Sequence, residues 1–147
     1  MSGPSLRKPD AHSSIHEAAL NEALELRNLL QKCLDDGERE KALQVLEVTI
    51  EHWETRTLKH AEAEEEGLYK DIVQENPALK STVIQLTRDH DLMRRIVENM
   101  KVMLQTQEPD KRMISMLDSL IIIDEIHNED EMNNLLAMVK NNLGKIS

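Results

Sequence analysis

Four stretches of the chain repeat apolar residues at intervals of three and four positions, the spacing that places side chains on one face of an α-helix. Most intervening positions are polar or charged, so each stretch predicts an amphipathic helix with one buried face. The predicted buried faces carry Ala19, Ala23, Leu26 and Leu30; Ala42, Leu46 and Trp53; Val83, Leu86, Val97 and Leu104; and Met116, Leu120, Ile123 and Met138. Four such faces can enclose one shared core.

Turn signals separate these stretches. The sequence "SIHE" at 14–17 has capping-box spacing and predicts a helix start near residue 14, and "DDG" at 35–37 predicts the end of that helix. Pro77 and Pro109 each suit the first position of a new helix, because the backbone N–H that proline lacks is unpaired there in any case. Gly144 is the predicted C-terminal cap of the last helix.

Short turns between long helices favour antiparallel neighbours. We therefore predict an all-α fold, an antiparallel up-down-up-down four-helix bundle over residues 14–147, preceded by a flexible tail over residues 1–13. A chain of 147 residues is long enough to bury one core without disulfides. The composition agrees, since one Trp, one Tyr and no Phe leave few residues that favour β-strands.

Charge and hydropathy exclude several classes of partner. The 28 acidic residues outnumber the 18 basic ones, for a net charge of -10, and no basic stripe is present, so nucleic acid is not an expected partner. Apolar runs such as "LIII" at 120–123 are too short to cross a bilayer, and the first fourteen residues lack the apolar segment of a secretion signal. Cys33 is the single cysteine, which fits a reducing environment. We expect a cytoplasmic protein that does not bind membranes.

Four of the six histidines lie on the predicted buried faces: His16, His60, His90 and His127. In an antiparallel bundle, two residues lie at one height when they are equally far along the chain from the turn that joins their helices. Counted in this way, the histidines of consecutive helices differ by at most three residues, or roughly 5 Å at about 1.5 Å of rise per residue. The sequence predicts one thin layer of inward-facing imidazoles.

Two carboxylates belong to the same pattern. Glu64 follows His60 by four residues, and Glu131 follows His127 by four, so each pair lies on one helix face and can converge on one cation. Four nitrogen donors and two oxygen donors suit two adjacent metal ions bridged by the carboxylates. Each ion would then hold two nitrogens and two oxygens, with positions left for a shared oxygen and an outside ligand.

The alternative interpretation needs no metal. A single His-x-x-x-Glu is usually part of a solvated acidic helix face, and only the two copies together with two further level histidines favour a metal site. Outside the layer, we interpret His52 as a surface residue and His12 as part of the tail and not a ligand. Tyr69 is interpreted as a core tyrosine, which could reach the site only if the helix bends near Gly67. The solvated acidic residues are predicted to be Glu62, Glu65, Glu66, Glu129 and Asp130.

The ordered set "IHEAAL", "HAEAEEEGLY", "RDHDLM" and "HNEDEM" resembles the hemerythrin-like, or HHE cation-binding, domain family from His16 to the end of the fourth helix. The resemblance implies a non-haem centre of two iron ions with an oxo or hydroxo bridge. It assigns His16 and His60 to one iron, His90 and His127 to the other, and Glu64 and Glu131 to bridging positions. The assignment of iron comes from this resemblance, since manganese and zinc accept the same donors.

One position departs from the pattern of oxygen-carrying hemerythrins, which have His-x-x-x-His on the third helix. Here Arg94 stands four residues after His90, and Glu131 rather than another nitrogen donor stands four residues after His127. We therefore expect no five-histidine site, and simple reversible oxygen carriage is less favoured. The iron near His90 could recruit a carboxylate such as Asp91 or Asp124. The Glu-x-x-His motif of ferritin-like bundles does not occur in the chain.

Three functions follow as hypotheses. The first is a module that binds or senses oxygen, nitric oxide, peroxide or iron itself at an open di-iron site. The second is a di-iron enzyme that oxidises ferrous iron or decomposes peroxide, for which the sequence shows no general acid or base. The third is a metal-free helical interaction module, whose stability would not respond to a chelator.

Overall fold

The computed structural model describes residues 9–139, which form four long helices and contain no strand. Helix α1 spans Pro9–Asp35, and helix α2 covers 39–75. After the 3₁₀ turn Pro77–Leu79, helix α3 spans Lys80–Thr106, and helix α4 covers 111–139. The predicted all-α fold class is confirmed.

The first two predicted turns are confirmed. Gly37 follows α1 with a φ of 68°, a left-handed conformation that glycine adopts without strain. Helix α2 ends at Glu75, and the side chain of Asn76 accepts a hydrogen bond of 3.2 Å from the backbone N–H of Ala78. Pro77 begins the next helical turn, as predicted.

The third turn differs from the prediction. Helix α3 ends at Thr106, and Gln107 takes a left-handed conformation. Helix α4 begins at Lys111, where the side chain of Asp110 caps it by accepting a hydrogen bond from the backbone N–H of Arg112. Pro109 therefore lies before the helix and not at its first position, because Asp110 supplies the side-chain acceptor that the helix end requires.

Helix α1 begins earlier than predicted. The predicted start near residue 14 is wrong, because the helix already includes Pro9, and proline is well suited to a first helical turn. The "SIHE" sequence at 14–17 consequently lies inside α1 and caps nothing. The predicted tail therefore contains a helical part, residues 9–13, while residues 1–8 and the predicted cap at Gly144 lie outside the described residues.

Two apolar clusters fill the interior. The first cluster includes Leu30, Leu46, Trp53, Met93, Val97, Met100, Met113, Leu117 and Leu120. The second includes Leu68, Tyr69, Ile72, Leu79, Leu86, Leu135 and Leu136. On α3, His90 lies between Leu86 of the second cluster and Met93 of the first, so a polar layer separates the two clusters.

Three segments wind as π-helix: Trp53–Thr57, Glu64–Leu68 and Glu131–Leu136. A π turn contains more residues than an α turn, so it rotates the side chains that follow, and such turns are frequent at functional sites. The rotation explains one wrong prediction. Met138 was predicted to be buried and is 43% exposed, while Leu135 and Leu136 are buried instead.

We expect Leu117→Ala to lower the free energy of unfolding by about 2–5 kcal/mol, because Leu117 has no exposed surface and its truncation leaves a cavity. Ile122→Ala on the same helix is the matched control. Ile122 is 55% exposed, so its truncation should change stability by less than about 0.5 kcal/mol. Denaturant unfolding of both variants, at one fixed metal condition, checks the pair, and equal losses would contradict the assigned core.

No helix within residues 9–139 has the length and hydropathy needed to cross a bilayer.

Candidate metal centre

The polar layer between the two apolar clusters gathers imidazoles from all four helices. The rings of His16 on α1 and His60 on α2 lie with centroids 5.0 Å apart, and those of His90 on α3 and His127 on α4 lie 4.5 Å apart. Glu64 joins the two pairs, with carboxylate oxygens 3.7 Å from His60 Nε2 and 3.4 Å from His90 Nε2. The structure thus brings the four predicted imidazoles together.

The donor atoms of this layer form two overlapping groups. Within each group, one nitrogen or oxygen atom per residue lies within 4.8 Å of those of all other members. The first group is His12, His16, His60 and Glu64; the second is Glu64, His90, His127 and Glu131. Each group has the size and composition of a metal-ion site, and Glu64 belongs to both.

Glu131 also faces both groups, because its two oxygens point in different directions. Its Oε1 contacts His12 and lies 3.9 Å from His16 Nε2. Its Oε2 lies 3.4 Å from His127 Nε2. Both carboxylates singled out by the i, i+4 spacing therefore lie where a bridging ligand would.

Carboxylates outside the two groups hold the far nitrogens of two histidines. The Nδ1 of His90 lies 2.7 Å from Glu65 Oε2, and the Nδ1 of His127 lies 3.0 Å from Asp89 Oδ2. Metal-binding histidines usually donate their second ring N–H to such a carboxylate, which fixes the tautomer and the ring orientation. The prediction that Glu65 is merely solvated is therefore wrong, and Asp89 was missed.

The near nitrogens of the same two rings face each other. The Nε2 atoms of His90 and His127 lie 3.1 Å apart. If each Nδ1–H donates to its carboxylate, each Nε2 carries a lone pair. Two lone pairs at this distance repel unless a proton or a cation lies near both.

His12 is the main residue that sequence reasoning missed. Its side chain is fully buried, its Nε2 contacts Glu131, and the same nitrogen lies 3.1 Å from Glu64 Oε2. The assignment of His12 to a flexible tail is wrong because α1 extends back to Pro9. The sequence pattern that could have revealed it is its i, i+4 spacing to His16. This spacing places both rings on one helix face only if the helix begins before His12.

Tyr69 lies in the second apolar cluster, as predicted, and also reaches the polar layer. Its hydroxyl donates a hydrogen bond to Glu131 Oε2, and its ring stacks on that of His90 with centroids 5.8 Å apart. The π segment Glu64–Leu68 lies between Glu64 and Tyr69, and its rotation lets both side chains face the interior. Tyr69 is therefore a core tyrosine, as interpreted, and the change of the helix around Gly67 also brings it to the site.

His52 lies outside both groups. Its Nε2 is 3.0 Å from Glu22 Oε2, and 8% of its side chain is exposed. His52 is therefore absent from the layer, as predicted, although it is more covered than a surface residue. It pairs α1 with α2 and serves as a natural control for the layer histidines.

The layer fits a metal better than it fits an ordinary polar core. Among residues 9–139, the buried His60 Nε2 has no hydrogen-bond partner, and the buried oxygens Glu64 Oε2 and Glu131 Oε1 share the single nitrogen His12 Nε2. A buried polar atom left unpaired costs roughly 1–3 kcal/mol. Cations placed among these atoms would satisfy all three, and imidazole with carboxylate is a donor set that iron, manganese and zinc accept.

Residues 13–139 match the family model described as the hemerythrin HHE cation-binding domain. The chain belongs to this family. Searches among curated proteins and among solved structures returned no match. The match covers most of the chain and begins one residue after His12.

Arg94 of this HHE domain occupies the position where a histidine on the third helix would stand in oxygen-carrying hemerythrins. Its guanidinium donates to Glu65, the partner of His90, and lies 2.9 Å from Asp91 Oδ1. Asp91 is half exposed and Asp124 is buried, and neither belongs to the two donor groups of the described residues. Glu65 therefore connects Arg94 to His90 of the layer.

Burial keeps three histidines of the HHE domain neutral. It lowers the pKa of His16 and His90 to about 3 and that of His60 to about 4, because a charged imidazole is poorly solvated inside the protein. A neutral imidazole has a lone pair available on one ring nitrogen. These three residues are consequently in the form that binds a cation.

The remaining charges are coupled. Burial opposes the charged forms of His12 and His127, but hydrogen bonds to carboxylates outweigh it and raise the pKa of each to about 10. Burial and the charge of Glu131 raise the pKa of Glu64. Burial alone would also raise the pKa of Glu131, but hydrogen bonds from His12 and His127 lower it. The positive charges that face the two buried carboxylates therefore lie on His12 and His127.

A cleft of about 760 Å³ between α1 and α2 reaches this layer. His16 and His60 line it together with the small side chains of Ala18, Ala19 and Ala63. Asp124 also lines the cleft, and burial raises the pKa of its carboxyl group to about 7. The cleft is large enough for a diatomic molecule or peroxide to reach the imidazoles.

Proposed function

We propose that this HHE domain holds two iron ions and uses them to bind or sense a small molecule, namely oxygen, nitric oxide or peroxide. In a variant of the same function, the domain senses iron, and occupancy of the site is the signal. The proposed ligands are His16 and His60 for one ion, His90 and His127 for the other, and Glu64 and Glu131 for both. Bound iron would supply a redox-active centre that can accept an outside ligand. The protein would supply the arrangement of donors and the access route.

The observation that carries this proposal is the position of the two carboxylates. Glu64 and Glu131 each direct one oxygen to one histidine group and the second oxygen to the other. A single cation would leave one of these groups unused. Two cations, each close to both carboxylates, would use every donor of both groups.

Other side chains of the layer have supporting roles in the proposal. Glu65 and Asp89 fix the orientations of His90 and His127. Burial and the charges of Glu64 and Glu131 raise the pKa of Tyr69, so its hydroxyl stays protonated and donates to Glu131. This hydrogen bond holds the Glu131 carboxylate in place.

The proposal includes the antiparallel arrangement of the helices. His12 on α1 contacts Glu131 on α4, and Arg27, fifteen residues later on α1, lies 2.8 Å from Asp118, thirteen residues earlier on α4. Contacts that advance along one helix and retreat along the other support antiparallel neighbours. We further propose a cytoplasmic location, which fits the single cysteine, Cys33.

The test is anaerobic spectroscopy of the reduced, iron-loaded protein, followed by separate additions of oxygen, nitric oxide and peroxide. We expect a stoichiometric spectral change with at least one of them, and we expect Glu64→Gln to abolish it. No change with any of the three would overturn gas or peroxide binding. Sustained turnover of ferrous iron or peroxide would assign an enzyme instead.

The carboxylates behind the histidines provide a further prediction. We expect Asp89→Ala to weaken iron binding by about 10–100-fold, the usual effect of removing a partner that orients a ligand. Glu98→Ala on the same helix is the control, because Glu98 is exposed and pairs only with Lys101 in the described structure. Competition with a chelator of known affinity measures both, and equal affinities would show that Asp89 does not support the site.

A further inference from the structure

His12 adds a third imidazole to one side of the layer. Its ring centroid lies 4.3 Å from that of His16 and 5.1 Å from that of His60, while His16 and His60 are 5.0 Å apart. The three rings therefore surround one point, and none of them stacks flat on another. His12 and His16 are four residues apart on α1, so they extend from the same helix face.

The nitrogen of His12 that faces the layer is in contact with both carboxylates. Its Nε2 contacts Glu131 Oε1 and lies 3.1 Å from Glu64 Oε2. These same two oxygens lie 3.9 Å and 3.7 Å from the Nε2 atoms of His16 and His60, respectively. One cation among these atoms would be within reach of three imidazoles and both carboxylates.

We propose that His12 is a fifth histidine ligand, the third nitrogen donor of the ion held by His16 and His60. This inference rests on the proposed function, since it concerns one of the two ions. The two ions then differ, because His90 and His127 give the second ion only two nitrogens. The two ions would therefore have three and two nitrogen ligands, and the additional nitrogen would come from helix α1.

The alternative role for His12 is that of a hydrogen-bond donor that only positions the carboxylates. The two roles differ in what a glutamine at this position can do. The side-chain amide of glutamine can still donate a hydrogen bond to a carboxylate, but it does not provide an imidazole nitrogen. His12→Gln therefore separates a ligand from a positioning residue, and His12→Ala removes both roles.

The experiment loads the full chain and both variants with ⁵⁷Fe and measures iron content, affinity and Mössbauer spectra. We expect the wild-type chain to show two inequivalent irons of equal area. Both variants should bind one of the two irons about 100-fold more weakly or lose it, with only one of the wild-type signals changed. Added imidazole should restore that signal in His12→Ala by occupying the vacated space. His52→Ala, which removes a histidine paired with Glu22 outside the layer, should retain both irons.

Two results would overturn the inference. One is a His12→Ala protein with two irons, unchanged affinity and unchanged spectra. The other is His12→Gln with wild-type iron content and spectra, which would make His12 a positioning residue and would decide the matter even if His12→Ala failed to fold. A wild-type chain that binds no iron would instead overturn the proposed function.

Discussion

Glu131→Gln is expected to abolish the binding of both metal ions. Glu131 directs one oxygen to His12 and His16 and the other to His127, so its change affects both donor groups at once. The amide removes the negative charge and replaces one oxygen with an NH₂ group, which cannot coordinate a cation. Iron content should fall from two per chain to near zero, measured by elemental analysis after desalting.

The matched control is Glu129→Gln, two residues earlier on α4. Glu129 is exposed, and the substitution makes the same chemical change outside the layer, so this variant should keep both irons. Loss of only one iron from Glu131→Gln would show that Glu131 does not bridge. Equal iron content in the two variants would exclude Glu131 as a ligand.

Iron removal should destabilise the protein strongly. A ligand that binds only the native state stabilises it by about 2.7 kcal/mol per site at a free concentration 100 times its Kd. For a chain of this size, that amount corresponds to roughly 5–10 °C in melting temperature for each site. The physical reason lies in the layer, where the buried nitrogen His60 Nε2 has no hydrogen-bond partner in the described structure and two buried carboxylates lie close together.

Thermal unfolding followed by circular dichroism, with and without chelator, measures this dependence. Glu131→Gln serves as the internal control, because a variant that cannot bind iron should melt at one temperature in both conditions. A wild-type protein whose melting temperature is equal in both conditions would support the metal-free interaction module. It would also show that the layer is stabilised by protons alone.

The helices and the convergence of the histidines could be predicted because both depend on local periodicity. Apolar residues at intervals of three and four positions predicted the four helices, and Gly37 and Pro77 predicted two of the turns correctly. Counting from those turns placed His16, His60, His90 and His127 at one height. An error of a few residues at a turn changes the predicted height of a side chain by only a few ångströms. The predicted layer was therefore correct although the predicted start of α4 was not.

The errors arose where the backbone departs from regular α-helix. The π turns at Glu64 and Glu131 change the direction of every following side chain. A regular α-helix therefore predicted Met138 on the buried face, and it brought Tyr69 to the site only with a bend near Gly67. The early start of α1 depends on Pro9 at its first described position. A helix predicted to begin near residue 14 could not contain His12.

A second class of error concerns contacts between helices. Glu65 lies on α2 and holds His90 on α3, while Asp89 lies on α3 and holds His127 on α4. Spacing within one helix cannot reveal such pairs, because they depend on the packing distance and the rotation of two helices. These pairs are defined by the three-dimensional packing, whereas His60 and Glu64 are paired by their spacing along one helix.

The most direct measurement is the metal content of the full chain, reconstituted anaerobically with ferrous iron, desalted and exposed to air while its absorption spectrum is recorded. We expect two irons per chain, with near-ultraviolet bands typical of an oxygen-bridged pair, and loss of both in Glu64→Gln but not in Glu62→Gln. A chain that retains no iron, or retains iron equally in the two variants, would contradict the proposed di-iron centre.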